Sequence, residues 1–126
     1  MAEPEGVYKC KICGNVVLVL EAHQGELVCC GQPMELLEAK SKDEGKEKHV
    51  PVLERTEAGL KVKIGEVLHP MEEGHYIELV QVVGKGKVVE EKRLYPGDKP
   101  EVEISWKDEA NLKIRIYCNL HGLWTN

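Results

Sequence analysis

Five cysteines and five histidines in this sequence have the chemistry of metal ligands, and nine of these ten side chains fall into two sets. Cys10, Cys13, Cys29 and Cys30 crowd the first thirty residues. Cys118 and His121 sit together in Tyr117-Cys118-Asn119-Leu120-His121-Gly122, and His49, His69 and His75 lie between, all in turn-like sequence. Thiolate and imidazole are the side chains that hold transition metals. The first set reads as an all-sulfur site, the second as a nitrogen-rich site with one sulfur. Two such different sites in a chain of 126 residues point to redox work on metal ions.

In Cys10-x-x-Cys13 both sulfurs can reach one ion from a single tight turn, and Cys29 and Cys30 bring the thiolates to four. Gly14 and Gly31 follow the two pairs and relieve crowding where the backbone wraps close to an ion. Four sulfurs suit tetrahedral zinc or iron, so a structural zinc ribbon fits the spacing as well as an iron site does. Disulfides fit less well, because five cysteines leave one over. The adjacent pair Cys29-Cys30 is unusual. Neighbours in an extended strand point to opposite faces, so the backbone must turn there to aim both sulfurs inward.

A single histidine in a loop is usually a solvated polar residue, and a lone cysteine is usually a small core residue. For His49, His69, His75, His121 and Cys118 taken together that reading weakens, since all five are at turn-like positions. Only His23 is left over, and it reads as solvated. Pro70 pushes His69 towards an extended conformation, and Gly74 permits a bend just before His75. Gathered round one ion, four imidazoles and a thiolate would leave a sixth position open. Zinc prefers four ligands; iron accepts this set and changes valence by one electron.

The elements that must position these residues are strands. Leu60-Lys61-Val62-Lys63-Ile64 puts three apolar residues on one face, and Glu101-Val102-Glu103-Ile104-Ser105-Trp106 and Leu112-Lys113-Ile114-Arg115-Ile116 repeat that period of two. Tyr76 to Val83 is a longer strand-like run, and Gly84-Lys85-Gly86 reads as a hairpin turn into Lys87-Val88-Val89-Glu90. The pattern predicts an all-β chain: a small N-terminal metal domain over residues 1–37, then an antiparallel β-sandwich over residues 38–126. The polar run Ala39 to Lys48 reads as a linker between them. A segment of under about 40 residues rarely folds unaided, and the four cysteines supply the metal it needs.

Charged residues make up 31% of the chain, and 17 basic against 22 acidic residues leave a net charge of -5. That disfavours a general nucleic-acid binder. No apolar run reaches the roughly 20 residues of a membrane helix, so no membrane association is expected. The first residues lack the pattern of a secretion signal, and the expected compartment is the cytoplasm, where clustered cysteines are ligands more often than disulfides.

The chain resembles the desulfoferrodoxins, the two-domain type of superoxide reductase. The resemblance runs over Tyr8-Lys9-Cys10 with Cys13-Gly14-Asn15, Leu27-Val28-Cys29-Cys30-Gly31 and Glu47-Lys48-His49-Val50-Pro51-Val52. It continues through His69-Pro70-Met71-Glu72-Glu73 with His75, Tyr95-Pro96-Gly97-Asp98, and Tyr117-Cys118-Asn119-Leu120-His121-Gly122. It implies a desulforedoxin-like iron site on Cys10, Cys13, Cys29 and Cys30. It implies a catalytic iron with His49, His69, His75 and His121 in a plane and Cys118 axial, on an immunoglobulin-like sandwich. The implied reaction is reduction of superoxide to hydrogen peroxide with electrons from a small carrier such as rubredoxin. Lys48 would draw in the anion and Glu47 would occupy the open position once iron is ferric. A homodimer is implied, with the small domains contributing to the contact, and calcium is a further candidate ion. Two other readings stay open from the residues: a zinc-binding structural module, and a one-electron carrier with both irons shielded from substrate.

Overall fold

A computed structural model describes residues 2–41, 49–57, 59–65, 69–104 and 112–126. Glu47 and Lys48 lie outside the described residues, as does most of the polar run before them. Every regular element described is a strand. Among the described residues no helix is long and apolar enough to cross a membrane. The chain divides into two compact units, Met1–Glu38 and Ala39–Asn126.

In the first unit, β1 (Val7–Lys9) lies between β2 (Val16–Leu18) and β5 (Glu35–Leu36), antiparallel to both. A separate hairpin joins β3 (Val28–Cys29) to β4 (Gln32–Pro33). Val7, Tyr8, Cys10 and Val19 are the apolar side chains it buries, while Ile12, Leu20 and Val28 stay exposed. So small a core leaves little to hold the unit together apart from its cysteines.

The second unit is a sandwich of two antiparallel sheets. One has the order β10 (Glu101–Ile104), β7 (Gly59–Ile64), β6 (Pro51–Thr56). The other has the order β12 (Gly122–Thr125), β11 (Leu112–Cys118), β8 (Ile77–Gly84), β9 (Lys87–Arg93). The alternation in the sequence determines which faces meet. Leu60, Val62 and Ile64 of β7, Val102 and Ile104 of β10, and Leu112, Ile114 and Ile116 of β11 all enter one buried cluster, which Val80, Val82 and Trp124 complete. The lysines between them point outward, where Lys63 meets Glu54 at 2.9 Å and Lys61 meets Glu101 at 3.2 Å. These half-exposed ion pairs add little stability; they mark the solvent face. Lys85 and Gly86 turn β8 directly into β9, as the sequence predicts.

The described structure differs from the sequence reading at the last strands. β11 runs on through Tyr117 to Cys118 rather than stopping at Ile116, and β12 follows it after a short turn. Cys118 thus ends a central strand and joins the buried cluster. A register shift between Tyr117 and Cys118 pairs Cys118 with Ile77, and such irregularities re-aim side chains near sites.

The core cluster dictates stability. Ile114→Ala, at a fully buried position, should lower the unfolding free energy by about 2–5 kcal/mol. The exposed neighbour Lys113→Ala should stay within about 0.5 kcal/mol. Denaturant melts of the two variants check this.

Candidate metal centres

The first centre is built by two turns. Cys10 follows β1, and its chain reverses at once: the Cys10 N–H donates to Asn15 O at 2.9 Å and the Gly14 N–H to Cys10 O at 3.0 Å. Cys29 ends β3, and Cys30 with Gly31 forms the two-residue turn into β4. Both turn residues have positive φ, 53° at Cys30 and 74° at Gly31. That is the hairpin turn whose twist matches antiparallel strands, and it answers the stereochemical problem of adjacent ligands. A non-glycine residue held left-handed is unusual, and here it points the Cys30 sulfur towards its neighbours.

The four sulfurs lie within 4.8 Å of one another. Cys13 and Cys29 are 3.5 Å apart at Sγ, Cys29 and Cys30 3.9 Å. Four sulfurs each about 2.3 Å from one ion stand about 3.8 Å apart in a tetrahedron, so the spacing fits. The backbone N–H of Cys13 points at Cys10 Sγ from 3.5 Å. It is the main cause that brings the Cys10 thiol down to about 6. Cys29 is pushed up to about 12, first by its hydrogen bond with the Cys13 side chain. The Cys13 side chain also raises Cys30. Ionising one thiol makes the next harder to ionise, and a bound cation removes that conflict.

The second centre collects side chains from strand ends. His49 precedes β6, His69 and His75 lie in the connection from β7 to β8, Cys118 ends β11, and His121 sits in the turn to β12. Their ligand atoms also fall within 4.8 Å of one another. The four imidazoles form a closed ring of neighbours. Centroids are 4.5 Å apart for His49 and His69, 4.6 Å for His69 and His75, and 4.9 Å for both His75–His121 and His121–His49. His49 and His75 are 6.3 Å apart, as a diagonal should be. Successive rings are turned edge to face, by 61° to 83°. Cys118 Sγ lies 3.6 Å from His69 Nε2 and 3.8 Å from His121 Nδ1. His49 Nε2 and His121 Nδ1 are 3.2 Å apart.

Neighbouring groups hold these rings. His69 Nδ1 is 2.8 Å from Pro70 O. A carbonyl only accepts, so the proton is on Nδ1 and the Nε2 lone pair faces the shared centre. Trp124 stacks on His49, with ring centres 4.5 Å apart and planes 11° from parallel. Its Nε1–H donates to His121 O at 3.2 Å. Asn119 ties the two ligand loops together: its Oδ1 accepts from Tyr76 N, its Nδ2 donates to Gly74 O, and its backbone N–H donates to Tyr76 O. Those partners flank His75, so Asn119 sets His75 against Cys118. Neither Trp124 nor Asn119 is a ligand type; Asn119 is legible only as part of the Tyr117-to-Gly122 motif, and Trp124 only by following it. Burial falls from His49, His69 and Cys118 through His75 to the exposed His121. His23 is exposed, faces Glu21 at 3.9 Å and belongs to neither group.

A four-sulfur group on a small unit and a four-imidazole, one-sulfur group on a β-sandwich define a class: all-β proteins built around two unlike metal sites. The family description "Desulfoferrodoxin, N-terminal domain" matches residues 2–37, and "Desulfoferrodoxin" matches residues 41–126. A desulfoferrodoxin homolog of Archaeoglobus fulgidus is 54% identical over 98% of this chain and 98% of its own. One of Methanothermobacter thermautotrophicus is 52% identical over 98% of this chain and 99% of its own. The superoxide reductase from Treponema pallidum superposes with a TM-score of 0.73 at 28% identity, covering 96% of each chain. The chain belongs to the desulfoferrodoxin family. Both halves of the expected fold, the desulforedoxin-like unit and the immunoglobulin-like sandwich, are present.

Outer supports of this kind tune metal affinity. Asn119→Ala should weaken metal binding at the nitrogen-rich group about 10–100-fold. It should leave uptake at the four-cysteine group unchanged. Competitive chelator titration of the two groups, distinguished by their absorption, checks this.

Proposed function

We infer that this chain is a superoxide reductase, transferring one electron to superoxide, which with two protons becomes hydrogen peroxide. The observation that carries the reading is the ring of four imidazoles closed around Cys118. We assign iron to both groups. The donors fit it: opposite nitrogens about 2.1 Å from one ion stand about 4 Å apart, within the 4.8 Å spread of the set. When bound, iron supplies the one-electron couple and an open position for a small anion.

The chain's own residues do the rest. His49, His69, His75 and His121 hold the ion as neutral imidazoles. With iron bound, Cys118 would lend it thiolate electron density, which favours one-electron reduction of the anion. Lys48 draws in the anion and orders a water that delivers a proton. Within a Debye length of about 8 Å, one ammonium outweighs distant carboxylates on a chain of net charge -5. Glu47 is assigned the closing of the open position between turnovers.

Residues 1–37 carry the Fe(Cys)4 domain and residues 38–126 the catalytic sandwich. Electrons come from an external carrier of the rubredoxin type, and the chain acts in oxidative-stress detoxification in the cytoplasm. We also propose a homodimer. Leu20 (77% exposed), Val28 (58%) and Ile12 (57%) on the small unit give a second copy apolar surface to cover. Among the described residues no third donor cluster offers calcium its oxygen ligands, and this reading uses none.

Cys118→Ser should abolish peroxide production while iron stays bound; undiminished turnover would show the thiolate dispensable. Lys48→Ile should slow superoxide capture about tenfold at low salt and flatten its ionic-strength dependence. The purified protein should show two separable sets of thiolate-to-ferric bands, and Cys13→Ser should remove one set. A colourless protein would instead mark a zinc structural module, and redox change without peroxide a simple electron carrier.

A further inference from the structure

Lys40 belongs to the polar run read from the sequence as a linker, yet its backbone is fixed beside the nitrogen-rich group. Its N–H donates to Leu123 O at 3.0 Å, and its carbonyl accepts from the Thr125 N–H at 2.8 Å. This is a parallel bridge to Trp124. The side chain then lies along β12. Nζ is 5.0 Å from the centre of the Trp124 ring and 3.4 Å from His121 O. That same carbonyl accepts from Trp124 Nε1, and the same indole stacks on His49. One ammonium, one indole, the His49 imidazole and the backbone carbonyl of His121 thus form a continuous chain of contacts.

We propose that Lys40 is a second cationic residue of the superoxide-reducing site, acting through Trp124 on the edge formed by His49 and His121. The inference rests on the superoxide reductase reading and deepens it. Lys40 is exposed, so its charge remains hydrated and carries no burial penalty. The indole face attracts the ammonium and holds a flexible side chain in one place. The contacts through Trp124 put the charge within about 10 Å of the His49 ring, one Debye length at 0.1 M salt.

Two effects follow from a fixed positive charge at that range. It favours the reduced, less positive state of the centre, so it raises the reduction potential. It also raises the local concentration of a small anion beside the exposed His121. Lys40 is a positioning residue in this scheme; it does not touch the reacting atoms.

The test uses the full-length, iron-loaded protein and three variants: Lys40→Met, Lys40→Arg and Lys40→Glu. Two quantities are read: the midpoint potential of the nitrogen-rich centre, by redox titration of its charge-transfer band, and the second-order rate with superoxide at several ionic strengths. Lys40→Met should cut the low-salt rate about threefold and Lys40→Glu about tenfold, with both differences shrinking towards 1 M salt. The potential should fall in the order Lys, Met, Glu, and Lys40→Arg should restore both readings. Equal values in all three variants and the parent overturn the proposal. So does an equal effect of Met, Arg and Glu, which would make Lys40 a packing residue. If the parent reduces no superoxide, the functional reading fails, while the order of potentials still decides the role of Lys40.

Discussion

The structure turns on five lone pairs directed at one small volume. His49, His69, His75, His121 and Cys118 bring their ligand atoms within 4.8 Å of one another, and three of the five side chains are buried. In water such groups would separate. Here they stay in contact, with His49 Nε2 3.2 Å from His121 Nδ1 and Cys118 Sγ 3.6 Å from His69 Nε2. The arrangement persists because the protein around it leaves the donors no other place. Cys118 is the last residue of a central strand and part of the core cluster, so its sulfur cannot retreat. Pro70, Trp124 and Asn119 hold His69, His49, His121 and His75 against it. A cation turns that imposed proximity from a cost into a bond network.

The two units solve the problem of stability differently. The sandwich has a continuous apolar cluster from both sheets, and its metal group sits at one end of an already closed core. The small unit buries only Val7, Tyr8, Cys10 and Val19. Its strands are two or three residues long. There the four sulfurs take the structural place of a core, and an ion that crosslinks Cys10 and Cys13 to Cys29 and Cys30 joins the β1 turn to the β3–β4 hairpin. The four-cysteine group thus stands where a core would, and the nitrogen-rich group stands at the end of a core that is already closed.

Residue type and spacing made both donor groups legible, since few roles other than metal binding explain four clustered cysteines. The period-two alternation at Leu60–Ile64 and Leu112–Ile116 correctly foretold which faces would be buried. The turn at Cys29-Cys30 followed from elementary strand geometry and appears as left-handed φ at Cys30. The supports of the site were not legible. β12 is only four residues long and both its central residues, Leu123 and Trp124, are buried, so no alternation announces it. Lys40 lies in a polar run, and its contact with His121 joins positions 81 residues apart. No local pattern encodes a pairing at that range. Glu47 and Lys48 fall outside the described residues, and their roles rest on the family pattern.

Cys118 and His121 share a single reverse turn between β11 and β12. A local opening of β12 and that turn would carry off His121 together with the Trp124 that stacks on His49, while Cys118 stays in the core cluster. Release of an ion held there would then follow the fraying of one edge strand, β12, before any bulk unfolding.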